Sequence, residues 1–224
     1  MKQIWHDLLF PHWPVPAALL RPLVSEQLTL DTFDGQCWVG VVPFRMSGIR
    51  ARGLPPIPGV SRFPELNVRT YVIYGGKPGV YFFSLDAASL PAVWAARTFY
   101  HLPYFHAAMT CTQMEGNILY HSRRLFGAAE LHASYRPTTD VRLSEKSSIE
   151  HWFTERYCLY TVRDSQVFRG DIHHPPWLLQ DGQADFEINT VAAAAKISLP
   201  ASPPLLHFAR RQEVLIWPLR DADE

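Results

Sequence analysis

The chain has 224 residues, with 21 lysines and arginines against 21 aspartates and glutamates, and 47% of its residues are apolar. A net charge of zero without a basic run excludes the electrostatic footprint that a nucleic-acid-binding surface needs. No apolar run approaches the roughly 20 residues of a spanning helix, and the N-terminal segment lacks the apolar run of a signal peptide. Three isolated cysteines fit a reduced compartment. We therefore expect one cytoplasmic domain over 1–224, with neither nucleic acid nor membrane as a partner.

The N-terminal part predicts short elements separated by prolines and glycines. In chain order these are a helical turn at 5–9, a short helix at 17–23, strands at 28–33 and 37–46 around Asp34-Gly35, and a loop or flap at Gly53–Gly59.

The stretch 62–108 is the most informative part of the chain. It predicts a strand, a turn at Gly75–Gly79, an aromatic strand at 80–85, a helix capped by Ser89, and a loop dense in aromatics and histidines. Because strand side chains alternate, one face of the first strand carries a polar row, formed by Glu65, Asn67, Arg69 and Tyr71. This row faces either solvent or the interior of a closed sheet, and the pattern leaves both open.

The helix after this hairpin places an arginine on a mostly apolar stripe. At 100° per residue the stripe holds Leu90, Val93, Trp94, Arg97 and His101. A buried guanidinium cannot be deprotonated, so it needs an acceptor or an anion. Arg97 is therefore either an anion-binding residue, or an arginine whose stem packs while its head reaches water or a structural ion pair.

The rest of the chain predicts more short strands, with turns at each junction. They are strands at 107–114, 118–124, 129–136, 158–162 and 166–172, helices at 148–156 and 189–195, a turn at Asp181-Gly182 inside 177–188, and a closing hairpin at 205–219. This pattern indicates an α+β fold, mostly antiparallel, closed or nearly closed into a barrel, with a few short helices.

Long segments of the chain resemble one family. The segments HDLLFPHWPVP, LTLDTFDGQCWVGVVPFRM, FPELNVRTYV, GKPGVYFFSLDA and AARTFYHLPYFHAAM are similar to the YqjF-like family of uncharacterised bacterial proteins. The resemblance covers nearly the whole chain. It implies the acetoacetate decarboxylase-like fold, a cone-shaped β-barrel with a few helices over its openings.

The same resemblance implies which catalytic group is missing. In the decarboxylases a helix with an arginine leads to an aromatic-Pro-Lys-Lys segment, whose first lysine forms a Schiff base with the substrate. Here Arg97 is followed by Leu102-Pro103 and then Tyr104-Phe105, so aromatics stand at the similar positions. Glu65 is similar to a glutamate on a barrel strand of those enzymes. None of the four lysines lies in a setting that would activate an amine.

Other catalytic patterns are poorly supported. The ten histidines include no HxxxH or HExxH spacing, no CxxC pair occurs, and His173-His174 would point to opposite faces of a strand. No nucleophile elbow or phosphate loop is present. We therefore expect no metal and no cofactor.

Two hypotheses follow. In the first, the chain is a small-molecule-binding barrel, as a binding protein or as a lyase-like or hydrolase-like enzyme without a Schiff base. Its ligand would be a small carboxylate or similar anion. The tentative catalytic residues are Glu65 and Arg97, and the tentative ligand-binding residues are Arg69, Tyr71, His101, Tyr104 and His106.

In the second hypothesis the chain is a non-enzymatic interaction or structural protein with a packed barrel. Aromatic and proline residues would form its partner surface, namely Trp13, Pro14, Pro55, Pro56, Pro58, Pro175, Pro176 and Trp177. A homo-oligomer is compatible with either hypothesis. An enclosed polar pocket favours the first, and a packed core without one favours the second.

Overall fold

The computed structural model describes residues 1–56 and 61–224, and strands dominate them. The strands are β1 (Lys2–Val15), β2 (Thr29–Leu30), β3 (Cys37–Arg50), β4 (Phe63–Tyr74), β5 (Lys77–Ala87), β6 (Tyr104–Met114), β7 (Asn117–Arg124), β8 (Glu130–Pro137), β9 (Arg142–Leu143), β10 (Cys158–Arg163), β11 (Gln166–His173), β12 (Leu178–Asn189) and β13 (Leu205–Asp221). The helices are α1 (Ala17–Leu20), extended by a 3-10 turn at Arg21–Leu23, α2 (Leu90–Tyr100), α3 (Ile149–Thr154) and α4 (Val191–Ala194).

The strands pair into one nearly closed ring. β4, β3, β1, β13, β11, β10 and β5 pair in this order, and β5 pairs again with β4. Strands β6, β7, β8 and β12 form an extension that returns to β13. Most neighbours are antiparallel, but β5 runs parallel to both β10 and β6. The predicted fold class, mostly antiparallel β in a nearly closed ring with a few short helices, is confirmed.

Two tight turns have the residues that their backbone requires. Asp34 and Gly35 have φ of 49° and 75°, and Gly75 and Gly76 have φ of 55° and 75°. Positive φ at both central residues is the mark of a type I′ hairpin turn, which asparagine, aspartate and glycine adopt at the lowest steric cost. Both turns were predicted, but of the two predicted hairpins the structure has the one between β4 and β5, where β5 already begins at Lys77. The predicted hairpin around Asp34-Gly35 is wrong, because β2 pairs with β4 and not with β3, and a single bridge joins Phe33 to Gln36.

Three sequence predictions are wrong, because pairing between distant segments decides these regions. Residues 5–9 are part of β1, which is paired with β13 on one side and β3 on the other. Residues 205–219 lie in the single long strand β13. Asp181-Gly182 is no turn, since β12 continues through it. Gly182 instead lets β12 approach its neighbours closely, because a Cβ there would lie 3.1 Å from Leu9 Cδ1.

Two further expectations differ from the structure. The aromatic loop after α2 is short, because β6 begins at Tyr104. Trp13 and Trp177 are buried in the core, so neither is available as a surface anchor for a partner. The predicted loop or flap at Gly53–Gly59 lies partly outside the described residues, as does Pro58.

Within residues 1–56 and 61–224, no helix is long and apolar enough to cross a membrane.

The junction between β5 and β10 depends on a glycine. A Cβ on Gly79 would lie 2.6 Å from Tyr160 Cε2, 2.8 Å from Cys158 Sγ and 2.9 Å from the Cys158 carbonyl oxygen. No Cβ approaches other heavy atoms this closely, so these two strands can meet only at a residue without a side chain.

We expect Gly79→Ala to lower the free energy of unfolding by roughly 1–3 kcal/mol, the usual range for overpacking, as measured by urea denaturation. Gly170→Ala is the matched control, because its Cβ would meet only leucine side-chain atoms at 3.3–3.4 Å, and these can move. Equal losses in the two variants would contradict this account.

Candidate functional site

A cavity lies inside the ring of strands. Its volume is about 90 Å³. Its walls come from every strand of the ring, and α2 and the segment after it close one end. The lining residues are Met1, Gln3, Trp5, Leu8, Val42, Phe44, Glu65, Asn67, Arg69, Phe82, Leu85, Ala96, Tyr100, Leu102, Tyr104, Leu159, Ile172 and Ile216. Most are apolar, so the few polar groups among them define the chemistry that the cavity offers.

Three of these polar groups come from the predicted polar row on β4. Glu65, Asn67 and Arg69 are 4%, 4% and 8% exposed and line the cavity. Successive odd-numbered residues of this strand share its inner face because side chains alternate along a strand. Tyr71, the fourth member, is buried beyond the cavity, where its hydroxyl lies 2.6 Å from His12 Nε2. The row thus faces the interior of the ring and not solvent.

Arg69 differs from the other buried arginines in its lack of a carboxylate. Arg124 Nε lies 2.8 Å from Asp86 Oδ1, and Arg156 NH1 lies 2.5 Å from Asp31 Oδ2. Among the described residues no carboxylate forms an ion pair with Arg69, and its Nε is buried without a hydrogen bond. Its guanidinium carbon lies 5.4 Å from the centroid of the Phe10 ring, a cation–π contact. A buried charge with so little compensation is costly, and an anion beside the guanidinium would lower this cost.

Asn67, which lies between Arg69 and Glu65 in the row, also lacks a hydrogen-bond partner for one of its polar atoms. Its side-chain oxygen is buried and accepts no hydrogen bond in the part of the chain that the structure describes. Buried polar atoms are normally hydrogen-bonded, and an orphan in a cavity marks a place for a ligand or water. Asn67 therefore provides an acceptor between Arg69 and Glu65.

Glu65 forms a pair with Tyr104. The Tyr104 hydroxyl donates a hydrogen bond of 2.7 Å to Glu65 Oε2. Burial raises the pKa of the Glu65 carboxyl from its ordinary 4.5 to about 8; the Tyr104 hydrogen bond opposes the shift and the negative charge of Asp86 adds to it. Burial also raises the pKa of the Tyr104 phenol well above 10. At neutral pH the pair therefore holds a protonated carboxyl and a neutral phenol, which can donate protons inside the cavity.

Helix α2 forms the roof of the cavity through a different face from the one predicted. Ala96 and Tyr100 line the cavity and Val93 is buried. Trp94 is 64% exposed, and Arg97 is exposed as well. Arg97 Nε donates a 2.6 Å hydrogen bond to the Tyr104 carbonyl oxygen. The predicted stripe is therefore wrong as the buried face except at Val93, because the side of α2 that carries Ala96 and Tyr100 faces the cavity.

A second, outer chamber lies beside the first, next to the Glu65 end of the polar row. Its volume is about 400 Å³. The two chambers share five lining residues, namely Met1, Gln3, Ala96, Tyr100 and Tyr104. Leu54 and Phe99 line the outer chamber and are 61% and 63% exposed, so this chamber opens to the surface. The polar row runs inward from this opening, with Glu65 nearest to it and Arg69 deepest.

The remaining residues suggested by the sequence lie elsewhere. His101 ends α2 with φ of 51°, and its ring nitrogens lie 3.3–3.4 Å from Arg163 NH1, outside the cavity. His106 lines a separate open groove together with His121 and His132. Of the tentative residues, the cavity brings together Glu65, Arg69 and Tyr104.

No lysine reaches either chamber. Lys2 pairs with Glu213 and Lys77 pairs with Asp171, both at the surface, while Lys146 and Lys196 are exposed. The described residues also contain no group of three or more histidines, cysteines or acids arranged to hold a metal ion. The polar side chains that line the cavity are those of Arg69, Asn67, the Glu65–Tyr104 pair, Gln3, Tyr100 and Trp5, whose indole N–H donates to Gln3 Oε1.

Gln3 and Tyr100 were missed among these polar residues. Gln3 was missed because a helical turn and not a strand was predicted for the neighbouring residues 5–9, whereas Gln3 lies in β1 and pairs with Val214 of β13. Tyr100 was missed because the arginine stripe drew attention to the wrong side of α2. A stripe at Ala92, Ala96 and Tyr100 has the same helical spacing and was present in the sequence.

The chain matches one protein family and one relative of high sequence identity. The model of DUF2071, described as an uncharacterized conserved protein, matches residues 2–213. The uncharacterized protein YqjF of Bacillus subtilis (strain 168) is 52% identical over 221 residues, which cover 98% of this chain and 91% of that protein. Both matches span nearly the whole chain.

Solved structures share the fold at low sequence identity. Acetoacetate decarboxylase from Legionella pneumophila superposes with a TM-score of 0.67 at 12% identity, covering 100% of this chain and 88% of that one. The enduracididine biosynthesis enzyme MppR complexed with pyruvate superposes with a TM-score of 0.68 at 9% identity, covering 98% and 89%. These similarities establish the acetoacetate decarboxylase-like fold.

The raised pKa of Glu65 predicts how stability changes with pH. The folded state binds a proton at Glu65 up to about pH 8, whereas the unfolded state releases it near 4.5. The contribution of Glu65 to stability is therefore fully present below about pH 4.5 and is lost as pH rises to about 8.

We expect Glu65→Gln to remove this loss, so that its melting temperature relative to the parent protein increases from pH 5 to pH 8. Glu187→Gln, at an exposed strand position, is the control and should run parallel to the parent. A constant difference between Glu65→Gln and the parent would contradict the prediction.

Proposed function

The chain belongs to the DUF2071 family of uncharacterized conserved proteins, and we propose that it binds a small organic carboxylate in the cavity inside its ring of strands. The single observation that carries this proposal is Arg69, a buried guanidinium that lines the cavity without a carboxylate partner. A carboxylate ligand would supply the missing negative charge and accept charge-assisted hydrogen bonds from the guanidinium.

The rest of the row extends this assignment. With the ligand carboxylate at Arg69, the next atoms of the ligand pass Asn67, whose free side-chain oxygen accepts a hydrogen bond from a hydroxyl or amine group. Glu65 and Tyr104 then face the part of the ligand nearest to the opening. A carboxyl with a pKa of about 8 is a suitable general acid at neutral pH, so proton donation to a carbonyl or to a developing carbanion is the chemistry we assign to the pair.

The fold neighbours support the carboxylate and limit the mechanism. Acetoacetate decarboxylase is named for an acidic substrate, and MppR was solved with pyruvate. Both neighbours are enzymes, which favours a lyase-like or hydrolase-like reaction here over a purely structural role. A reaction through a lysine Schiff base would need an amine in the cavity, and no lysine of this chain lies there.

Thermal-shift measurements with small carboxylates test the binding. A ligand at 100 times its Kd stabilises a protein by about 2.7 kcal/mol, which for a chain of this size corresponds to a shift of roughly 5–10 °C. We expect Arg69→Met to abolish the shift while leaving the ligand-free protein folded, because methionine fills similar space without a buried charge.

Arg97→Ala is the matched control for this experiment. It removes an arginine whose side chain is exposed and which lines neither chamber. The shift should persist in this variant. A shift that survives in Arg69→Met and disappears in Arg97→Ala would move the anion site out of the cavity and contradict the proposal.

Borohydride trapping tests the exclusion of the amine route. After incubation with pyruvate or acetoacetate and borohydride, we expect no lysine-containing peptide to gain the mass of a reduced adduct in stoichiometric amount. Mass spectrometry of a digest measures this for all four lysines. A stoichiometric adduct on one of them would show that a lysine enters the cavity in solution.

A further inference from the structure

The two chambers differ sharply in their chemistry. The inner chamber ends at the polar row of Glu65, Asn67 and Arg69. The outer chamber has Met46, Ile49, Leu54, Phe63 and Phe99 among its lining residues, and Arg50 carries the only charged side chain among those described. A ligand that fills both would have a charged end and an apolar end.

The chambers also adjoin each other along β4. Along β4, Phe63 lines the outer chamber, and Glu65, Asn67 and Arg69 follow in the inner one. Ala96 and Tyr100 of α2 border both chambers from above. Because Ala96 has the smallest side chain with a Cβ, it takes up little of the space where the chambers adjoin.

We propose that the ligand is an amphipathic acid, whose carboxylate lies at Arg69 and whose apolar acyl or aryl tail passes under Ala96 into the outer chamber. This inference rests on the proposed function and goes beyond it, since it assigns a tail of several carbon atoms to the ligand. The inner chamber has a volume of about 90 Å³ and holds only the head of such a molecule. The outer chamber, at about 400 Å³, holds the tail.

The physical gain comes from the apolar surface that leaves water. Leu54 and Phe99 are largely exposed in the ligand-free protein, so a tail would cover apolar side chains as well as its own surface. Each buried methylene strengthens binding roughly threefold to fourfold. The polar head fixes the orientation, because Arg69 is the deepest charged group of the inner chamber.

Isothermal titration calorimetry with butanoate, hexanoate, octanoate and decanoate tests the proposal on the full chain. We expect the affinity to rise by roughly threefold to fourfold for each added methylene once the tail reaches the outer chamber. Ala95→Phe places a ring in the outer chamber without touching the inner one, since Ala95 lines only the outer chamber. This variant should lose the gain for octanoate and keep the affinity of the parent for butanoate.

Two more variants complete the design. Phe99→Asp places a charge beside the tail at a position that is 63% exposed, so it is compatible with folding and should weaken octanoate binding selectively. Thr98→Phe is the control, because Thr98 is exposed on α2 and lines neither chamber. It should bind the whole series as the parent does.

The outcomes separate this inference from the proposed function. Equal affinity of the parent for butanoate and octanoate, or undiminished octanoate binding in both Ala95→Phe and Phe99→Asp, would overturn the assigned tail and leave the carboxylate site intact. Binding of no acid to the parent would overturn the carboxylate site and the tail together.

Discussion

A buried positive charge without a carboxylate partner among the described residues dominates the site. Arg69 is as buried as Arg124 and Arg156, yet only those two have a carboxylate beside them. A guanidinium stays charged at every relevant pH, so the protein cannot relieve this cost by releasing a proton. The folded protein therefore carries the cost of this buried charge, and the proposed anion site accounts for that cost.

The ring of strands explains how one strand delivers three polar groups to the same place. A closed sheet has an inside and an outside, and alternation sends every second residue of β4 inward. A helix with alanines on its inner side then covers the opening without filling the space below. The cavity thus results from small side chains on α2 as much as from the polar ones on β4.

Local sequence signals predicted the parts of the fold that are set locally. The Asp34-Gly35 and Gly75-Gly76 turns and the β4–β5 hairpin depend on neighbouring residues. Ser89 lies at the start of α2 as predicted, but its side chain makes no capping hydrogen bond. By contrast, β1 and β13 become strands because they pair with each other across the whole chain, so proline content and local periodicity misled there.

The polar row on β4 was visible in the sequence, but its inward direction depends on ring closure. Arg97 was misplaced for the same kind of reason, since only the packing of α2 decides which side faces the strands.

The pairing of β1 with β13 also has a consequence for the order of folding. Lys2 lies opposite Leu215, so the contact that closes the ring joins residues more than 200 positions apart. Contacts of such long range form slowly, because the loop entropy must be lost before the pairing gives any return. During synthesis β4 and α2 leave the ribosome long before β13 is available. The cavity is therefore one of the last features of the molecule to form, and any ligand of the kind proposed would meet only chains that have already completed their fold.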